Sequence, residues 1–279
     1  MKTEKLVRTK QEVDNAAIKT YNETGVLYIP NLLSAEEIEC LENGIELNLQ
    51  NLSAMAKVAS SESDTGLFIE DFCTWQDNPY YKQIIFDSQL AAIAGLLMQS
   101  KQVRLYHDHM LVKEPYTQTI TPWHQDLPYY NINGMQNCSF WIPIDPVLRQ
   151  STLEFISGSH LGPWYTPRTF MDKQAKWFAE GSLAELPSDQ EIRSSKKILG
   201  WEMNPGDVVV FNMLTVHGSK GVPKNQRRRV ISLRFMGDDT RFAPRAWKTS
   251  PDFPGINERL EPGSSMGDEL FPIVYQQNN

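Results

Sequence analysis

Apolar side chains recur at helical spacing over roughly the first hundred residues and at strand spacing beyond them, which predicts helices first and strands afterwards. Val13, Ala17, Ile18 and Tyr21 predict a helix over residues 11–22 that Gly25 stops, and a short strand over 26–29 that Pro30 and Asn31 break. Ser34 with Glu37 three residues later is a capping-box signature opening a helix over 35–49, with Ile38, Leu41, Ile45 and Leu49 as its buried stripe. A third helix is expected over 81–98, apolar at Ile84, Ile85, Leu90, Ile93, Leu96 and Leu97. Short β-rich runs follow at 103–112, 138–144, 153–156, 207–211, 215–217 and 229–236, punctuated by Pro, Gly and Asn. The order predicts a mainly β fold with flanking helices: a double-stranded β-helix, or jelly-roll and cupin-like barrel, buttressed by N-terminal α-helices. Residues 50–80 are mixed in character and read as a loop over a site, while 161–199 read as a partly helical insertion carrying Trp164, Tyr165, Phe170, Trp177 and Phe178. Both are expected to act as lids, because long connections in a compact domain are often functional.

Within this pattern, His124-Gln125-Asp126 stands between Pro122 and Pro128 in a short extended piece, and His217 follows in a later strand. On a strand, positions two apart share a face, so His124 and Asp126 are expected to grip one ion together. Two imidazoles and a carboxylate on one side of a metal, with other positions open, suit non-haem Fe(II) in oxygenases. His107-Asp108-His109 offers a rival pair at the same spacing, without a further ligand motif in register. Arg228 opens a strand with two readable faces. Arg229, Ile231, Leu233 and Phe235 form one, and Arg228, Val230, Ser232 and Arg234 the other, which suits a polar interior. Arginine clamps a carboxylate through paired parallel hydrogen bonds, but three consecutive arginines also fit a solvated edge strand, so both readings stand. Arg234 is expected to meet an acidic group of a substrate or to pair with a nearby carboxylate. Trp123, Tyr129, Tyr130, Trp141, Trp164 and Tyr165 either stack on a ligand or fill the core. His160 is read as structural.

The 279 residues fit one domain, 1–279: a helical buttress over about 1–100, a jelly-roll core over about 101–238 and a Pro/Gly-rich tail over 239–279. With 27 basic against 34 acidic residues, the net charge of −7 gives no footprint for nucleic acid or an anionic membrane. Cys40, Cys73 and Cys138 are too few and too scattered for a disulfide framework and read as small core residues in a reducing compartment. The N-terminus lacks an apolar targeting segment, and no stretch reaches the length of a membrane span, so a cytoplasmic protein is expected, monomeric or homodimeric.

Together, His124 to Tyr130, Trp141, Gly158-Ser159-His160, Pro205-Gly206-Asp207, His217-Gly218-Ser219 and Arg228 to Ser232 resemble the phytanoyl-CoA dioxygenase (PhyH) family of Fe(II)/2-oxoglutarate oxygenases, over about residues 25–236. The resemblance implies Fe(II), 2-oxoglutarate and O2 as cofactors, His124, Asp126 and His217 as metal ligands, and Arg228, helped by Ser219, at the far carboxylate of 2-oxoglutarate. It also implies Met110, Gln125 and Trp141 as lining of the cosubstrate or substrate pocket. Tyr129, Arg234 and His109 are candidates for that pocket. The chain departs from the family pattern at Gln150-Ser151 and Ser157, before the Gly-Ser-His turn. Because related halogenases lack the carboxylate that Asp126 supplies, the implied reaction is oxidation of a C–H bond in a small molecule, a secondary metabolite above all, with release of succinate and CO2. Hydroxylation leads, and desaturation, epoxidation or ring formation is the alternative on the same scaffold. Outside that reaction, the rival is a cupin-like metal-binding protein without 2-oxoglutarate turnover.

Overall fold

The computed structural model describes residues 13–60, 66–167, 183–222 and 225–277. The first helix, α1 (Asn15–Thr24), starts on the Asp14 side chain, which accepts from Ala17 N, and ends on Gly25 in the left-handed region. Strand β1 (Val26–Ile29) has the expected bounds. The capping box of Ser34 and Glu37 forms and opens α2 (Ala35–Gln50). Leu41 and Ile45 are fully buried, while Ile38 and Leu49 pack at the edge of the same core.

Two expectations fail here. Residues 50–80 are not only a loop: they hold β2 (Lys57–Val58) and β3 (Phe68–Phe72), and β3 pairs with β4 (Gln102–Lys113) inside the main sheet. The single helix over 81–98 is two, α3 (Pro79–Asp87) and α4 (Leu90–Met98). Ser88 breaks it, because its backbone is extended (φ −79°, ψ 171°) and its hydroxyl accepts from Leu90 N instead of continuing the helix.

The remaining strands are β5 (Thr121–His124), β6 (Ile132–Asn133), β7 (Asn137–Pro143), β8 (Leu153–Ile156), β9 (Ile198–Leu199), β10 (Val208–Phe211), β11 (His217–Ser219), β12 (Arg228–Met236), β13 (Arg241–Phe242) and β14 (Ile273–Gln276). The main antiparallel sheet runs β1-β10-β7-β12-β4-β3-β2, with β14 also paired to β4, and the smaller one runs β5-β11-β8-β9. The fold is the expected jelly roll, but its two sheets face each other without closing into one hydrogen-bonded barrel.

Side-chain alternation assigns the faces of the main sheet. Val208 and Val210 of β10, with Ile231, Leu233 and Phe235 of β12, pack under the helices against Leu41, Ile45, Ile85 and Leu97. Val209, Phe211, Trp141 and Val230 face the other way, toward Leu153 and Phe155 of the smaller sheet. The C-terminal segment is more than a loose tail. It contributes β13, β14 and the short helix α6 (Ile256–Arg259), and Phe253, Ile256, Leu260, Met266 and Phe271 pack on Tyr106, Leu127 and Tyr130. In the 161–199 insertion, α5 (Asp189–Ser195) bears out the partly helical reading, while Phe170, Trp177 and Phe178 lie outside the described residues.

Candidate active site

A cavity of about 390 Å³ lies between the two sheets, a size suited to a small molecule. His124, Asp126 and His217 meet on its wall. Register brings the histidines together, since His217 of β11 sits directly opposite His124 of β5. Asp126 arrives by a different route from the expected one. The strand ends at His124, and Asp126 is already in the right-handed helical region, leading into a 3-10 turn over Leu127–Tyr129. Backbone N–H groups of Asp126 and Leu127 both donate to the Met213 carbonyl, at 2.8 and 2.9 Å, so the loop before His217 holds the carboxylate in place.

One ligand atom from each of the three residues lies within 4.8 Å of the others, the only such His/Cys/Asp/Glu cluster among the described residues. His124 Nε2 is 3.4 Å and His217 Nε2 3.7 Å from Asp126 Oδ1. Each ring's Nδ1 lies against a backbone carbonyl, Pro122 O at 2.8 Å and Thr215 O at 2.9 Å. That contact places the proton on Nδ1 and leaves the Nε2 lone pairs turned toward the carboxylate, the arrangement of metal-ligating histidines. Burial, reinforced by His124, pushes His217 down to about 3, so the ring stays neutral. Burial alone would raise Asp126, but Arg234 and the two imidazoles hold it far below the usual carboxylate range. The donor set therefore fits a divalent cation such as Fe(II).

The arginine run divides by face. Arg227 pairs with Glu46 and Glu114, and Arg229 with Asp145, Glu42 and Glu46, on the helix side. Arg228 points into the cavity and is 5% exposed. It donates to the Ser151 carbonyl and, at 3.4 Å, to Ser219 Oγ, and its guanidinium carbon is 5.7 Å from the Trp141 ring. No carboxylate among the described residues pairs with it. A buried cation without a counterion, in the cavity that holds the triad, fits the carboxylate of a bound acid. Since β12 lies between β7 and β4, the edge-strand reading of the run fails. The departure at Gln150-Ser151 leaves this part of the site intact, because the Ser151 backbone carbonyl orients the guanidinium.

Tyr129, Trp141, Ser219, Arg234 and His109 line the cavity as expected. Met110 and Gln125 do not. Met110 is fully buried in the helix-side core, on the face of β4 opposite to His109. The Gln125 amide turns away from its neighbours' site to donate to Pro163 O and Leu214 O and to accept from Tyr165 N. The rival pair shares a face of β4, with its rings 6.5 Å apart, but no third ligand joins it in a cluster among the described residues. Asp108 accepts from Thr74 and Trp75, and His107 borders a second cavity beside Tyr106. His160 is structural, its Nε2 3.1 Å from Asn22 O. Glu70, Phe72 and Lys57 line the cavity without having been singled out in the sequence. For Glu70 and Phe72 the signal was the alternation Phe68, Glu70, Phe72, obscured by the adjacent Asp71.

A family model described as Phytanoyl-CoA dioxygenase (PhyH) matches residues 21–230. Ectoine dioxygenase of Stutzerimonas stutzeri (strain A1501) is 25% identical over 273 residues, covering 91% of this chain and 89% of that protein. Human peroxisomal phytanoyl-CoA dioxygenase is 26% identical over 240 residues, 80% of this chain and 68% of that one. Among solved structures, the non-heme alpha ketoglutarate dependent carbocyclase SnoK from nogalamycin biosynthesis superposes with a TM-score of 0.73 at 22% identity, covering 96% of this chain and 98% of that chain. The epimerase SnoN, in complex with Fe3+, alpha ketoglutarate and nogalamycin RO, superposes at 0.74 with 18% identity, covering 93% and 97%. At such identities the superpositions bear on the fold.

Proposed function

Because the chain belongs to the phytanoyl-CoA dioxygenase (PhyH) family, we propose that it couples oxidative decarboxylation of 2-oxoglutarate to hydroxylation of a C–H bond in a small molecule, a secondary metabolite. Fe(II) with 2-oxoglutarate and O2 supplies the oxidising power when bound, with release of succinate and CO2. His124, Asp126 and His217 hold the metal. Thr215 O and Pro122 O keep both imidazoles in the ligating tautomer, and Arg234 secures the second carboxylate oxygen of Asp126 at 3.3 Å. Arg228 and Ser219 receive the far carboxylate of 2-oxoglutarate, flanked by Trp141. The single observation that carries this reading is the buried, carboxylate-free Arg228 in the same cavity as the triad.

No helix among the described residues is long and apolar enough to cross a membrane. The acidic chain and its free Cys40, Cys73 and Cys138 support a cytoplasmic protein, monomeric or homodimeric, with a small-molecule partner. The test is a metabolite-pool screen for substrate-stimulated succinate formation, paired with anaerobic Fe(II) and 2-oxoglutarate titrations of the wild type and Asp126→Ala. Wild-type protein should bind both and release succinate with some pool. Failure to form succinate with every pool, together with metal binding unchanged in the variant, would sink the reading.

A further inference from the structure

Two residues lining the cavity carry buried polar atoms without a hydrogen-bond partner among the described residues: His109, through both ring nitrogens, and Arg234, through Nε and Nη1. His109 is 7% and Arg234 5% exposed. They belong to one patch. His109 of β4 lies opposite Ser232 of β12, and Arg234 follows two residues later on the same face, a diagonal neighbour roughly 7–8 Å away along the backbone.

Each side chain is held from behind. His109 Nε2 is 3.3 Å from Glu70 Oε1, and its ring stacks on Phe72 with centroids 4.0 Å apart. Arg234 Nη2 donates to Asp126 Oδ2, and its guanidinium carbon is 5.9 Å from the Tyr130 ring. A carboxylate against Nε2 draws the imidazole proton there and leaves a bare lone pair on Nδ1. The cavity therefore offers an acceptor beside fixed donors, and burying such groups dry costs free energy that a bound ligand can recover.

We propose that His109 and Arg234 form the subsite for the polar head of the oxidised substrate, and that this head is a neutral hydroxyl, donating its O–H to His109 Nδ1 and accepting from Arg234. The assignment rests on the proposed function only in calling the ligand the substrate. Charged heads satisfy one partner and oppose the other, and an aprotic head leaves one unsatisfied. A carboxylate suits Arg234 but meets the His109 lone pair with the Glu70 charge behind it. An ammonium suits His109 and is repelled by Arg234. A methyl ether leaves Nδ1 dry. Glu70 and Phe72 thus act as positioning residues for His109.

The experiment is nitrogen NMR of the full chain, metal-free and labelled at histidine, with the His109 signals identified by their loss in His109→Phe. Benzyl alcohol, benzyl methyl ether, benzylamine and benzoate serve as probes, their ring matched to the aromatic lining of Phe72, Tyr129 and Trp141. In the wild type, Nδ1 should resonate as unprotonated. Benzyl alcohol should move it at concentrations roughly tenfold below those needed by the other three, the ratio set by one hydrogen bond to a buried partner. Arg234→Met should erase that preference, and Glu70→Gln should mix the tautomers. A protonated Nδ1, equal response to the four probes, no response to benzyl alcohol, or a preference that survives Arg234→Met would each overturn the proposal. Since the readout needs neither iron nor 2-oxoglutarate, a chain that forms succinate yet fails here loses this subsite alone.

Discussion

Replacing Arg228 by Met separates recognition from stability, because the guanidinium is enclosed without an anion. Burial pushes it from 12.5 down to about 10, which corresponds to roughly 3 kcal/mol against the charged form in the folded chain. Hydrogen bonds from a charged donor are worth about 1.5–3 kcal/mol, and here one reaches the Ser151 carbonyl while the other stretches 3.4 Å to Ser219 Oγ. Penalty and contacts nearly cancel, so Arg228→Met should shift the ligand-free Tm by no more than about 3 °C, at roughly 2–4 °C per kcal/mol for a domain of this size class. The same substitution removes both charge-assisted bonds offered to a carboxylate. Affinity for 2-oxoglutarate should fall by roughly two to four orders of magnitude, and the rise in Tm that 2-oxoglutarate gives the metal-loaded wild type should vanish. Calorimetric titration under anaerobic conditions and thermal scans with and without 2-oxoglutarate measure the two halves. A Tm loss above about 10 °C would make Arg228 a structural residue, and unchanged affinity would remove it from the cosubstrate site.

Arg229→Met should behave in the opposite way, lowering Tm through loss of its Asp145, Glu42 and Glu46 pairs while leaving 2-oxoglutarate affinity within about twofold, as titration of the two variants side by side would reveal. Gly25→Ala places a methyl 2.4 Å from Thr215 Oγ1 and 2.5 Å from His160 Nδ1 at φ +76°, and also strains the Thr215 hydroxyl bond to the Gly25 carbonyl. Left-handed strain plus that bond predicts a loss of about 2–4 kcal/mol and weaker metal retention through Thr215 and His217, so an unchanged Tm would contradict the close packing there. Burial raises the Cys73 and Cys138 thiols, which leaves little thiolate at pH 8; iodoacetamide should label them only on unfolding, and rapid labelling of the native chain would refute this.

Much of this architecture was legible because burial imposes a period on the sequence. The capping box at Ser34 and Glu37 and the stripe through Leu41 and Ile45 stated α2 almost residue for residue. Strands β7 and β10, buried on both faces, showed themselves as largely apolar runs, and β12 as two alternating faces. The illegible parts depend on distant partners. Phe68–Phe72 carries two acids in five residues, and only the site explains them: Glu70 faces His109 across the cavity wall, while Asp71 accepts from Asn48 and Ser53 on the other side. Asp126 joins His124 and His217 as expected, but the Met213 carbonyl, 87 positions away, and not strand alternation, sets its direction. Met110 and Gln125 were chosen by family position, and the faces their backbones present take both away from the cavity.

Strand β12 shows how one segment serves stability and recognition without conflict. Its helix-side positions, Arg229, Ile231, Leu233 and Phe235, meet the acids of α2 or the apolar core. Its cavity-side positions, Arg228, Ser232 and Arg234, line the space between the sheets. A period of two therefore separates residues whose replacement changes the folding equilibrium from residues whose replacement changes what binds. The separation is incomplete at Arg234 alone, because its Nη2 steadies a proposed metal ligand while its Nε and Nη1, on a residue that lines the cavity, have no partner among the described residues. Substitution there should alter metal retention and head-group preference together, whereas Arg228→Met should alter only the response to 2-oxoglutarate. Coupling at one position and independence at the other follow from the same strand geometry.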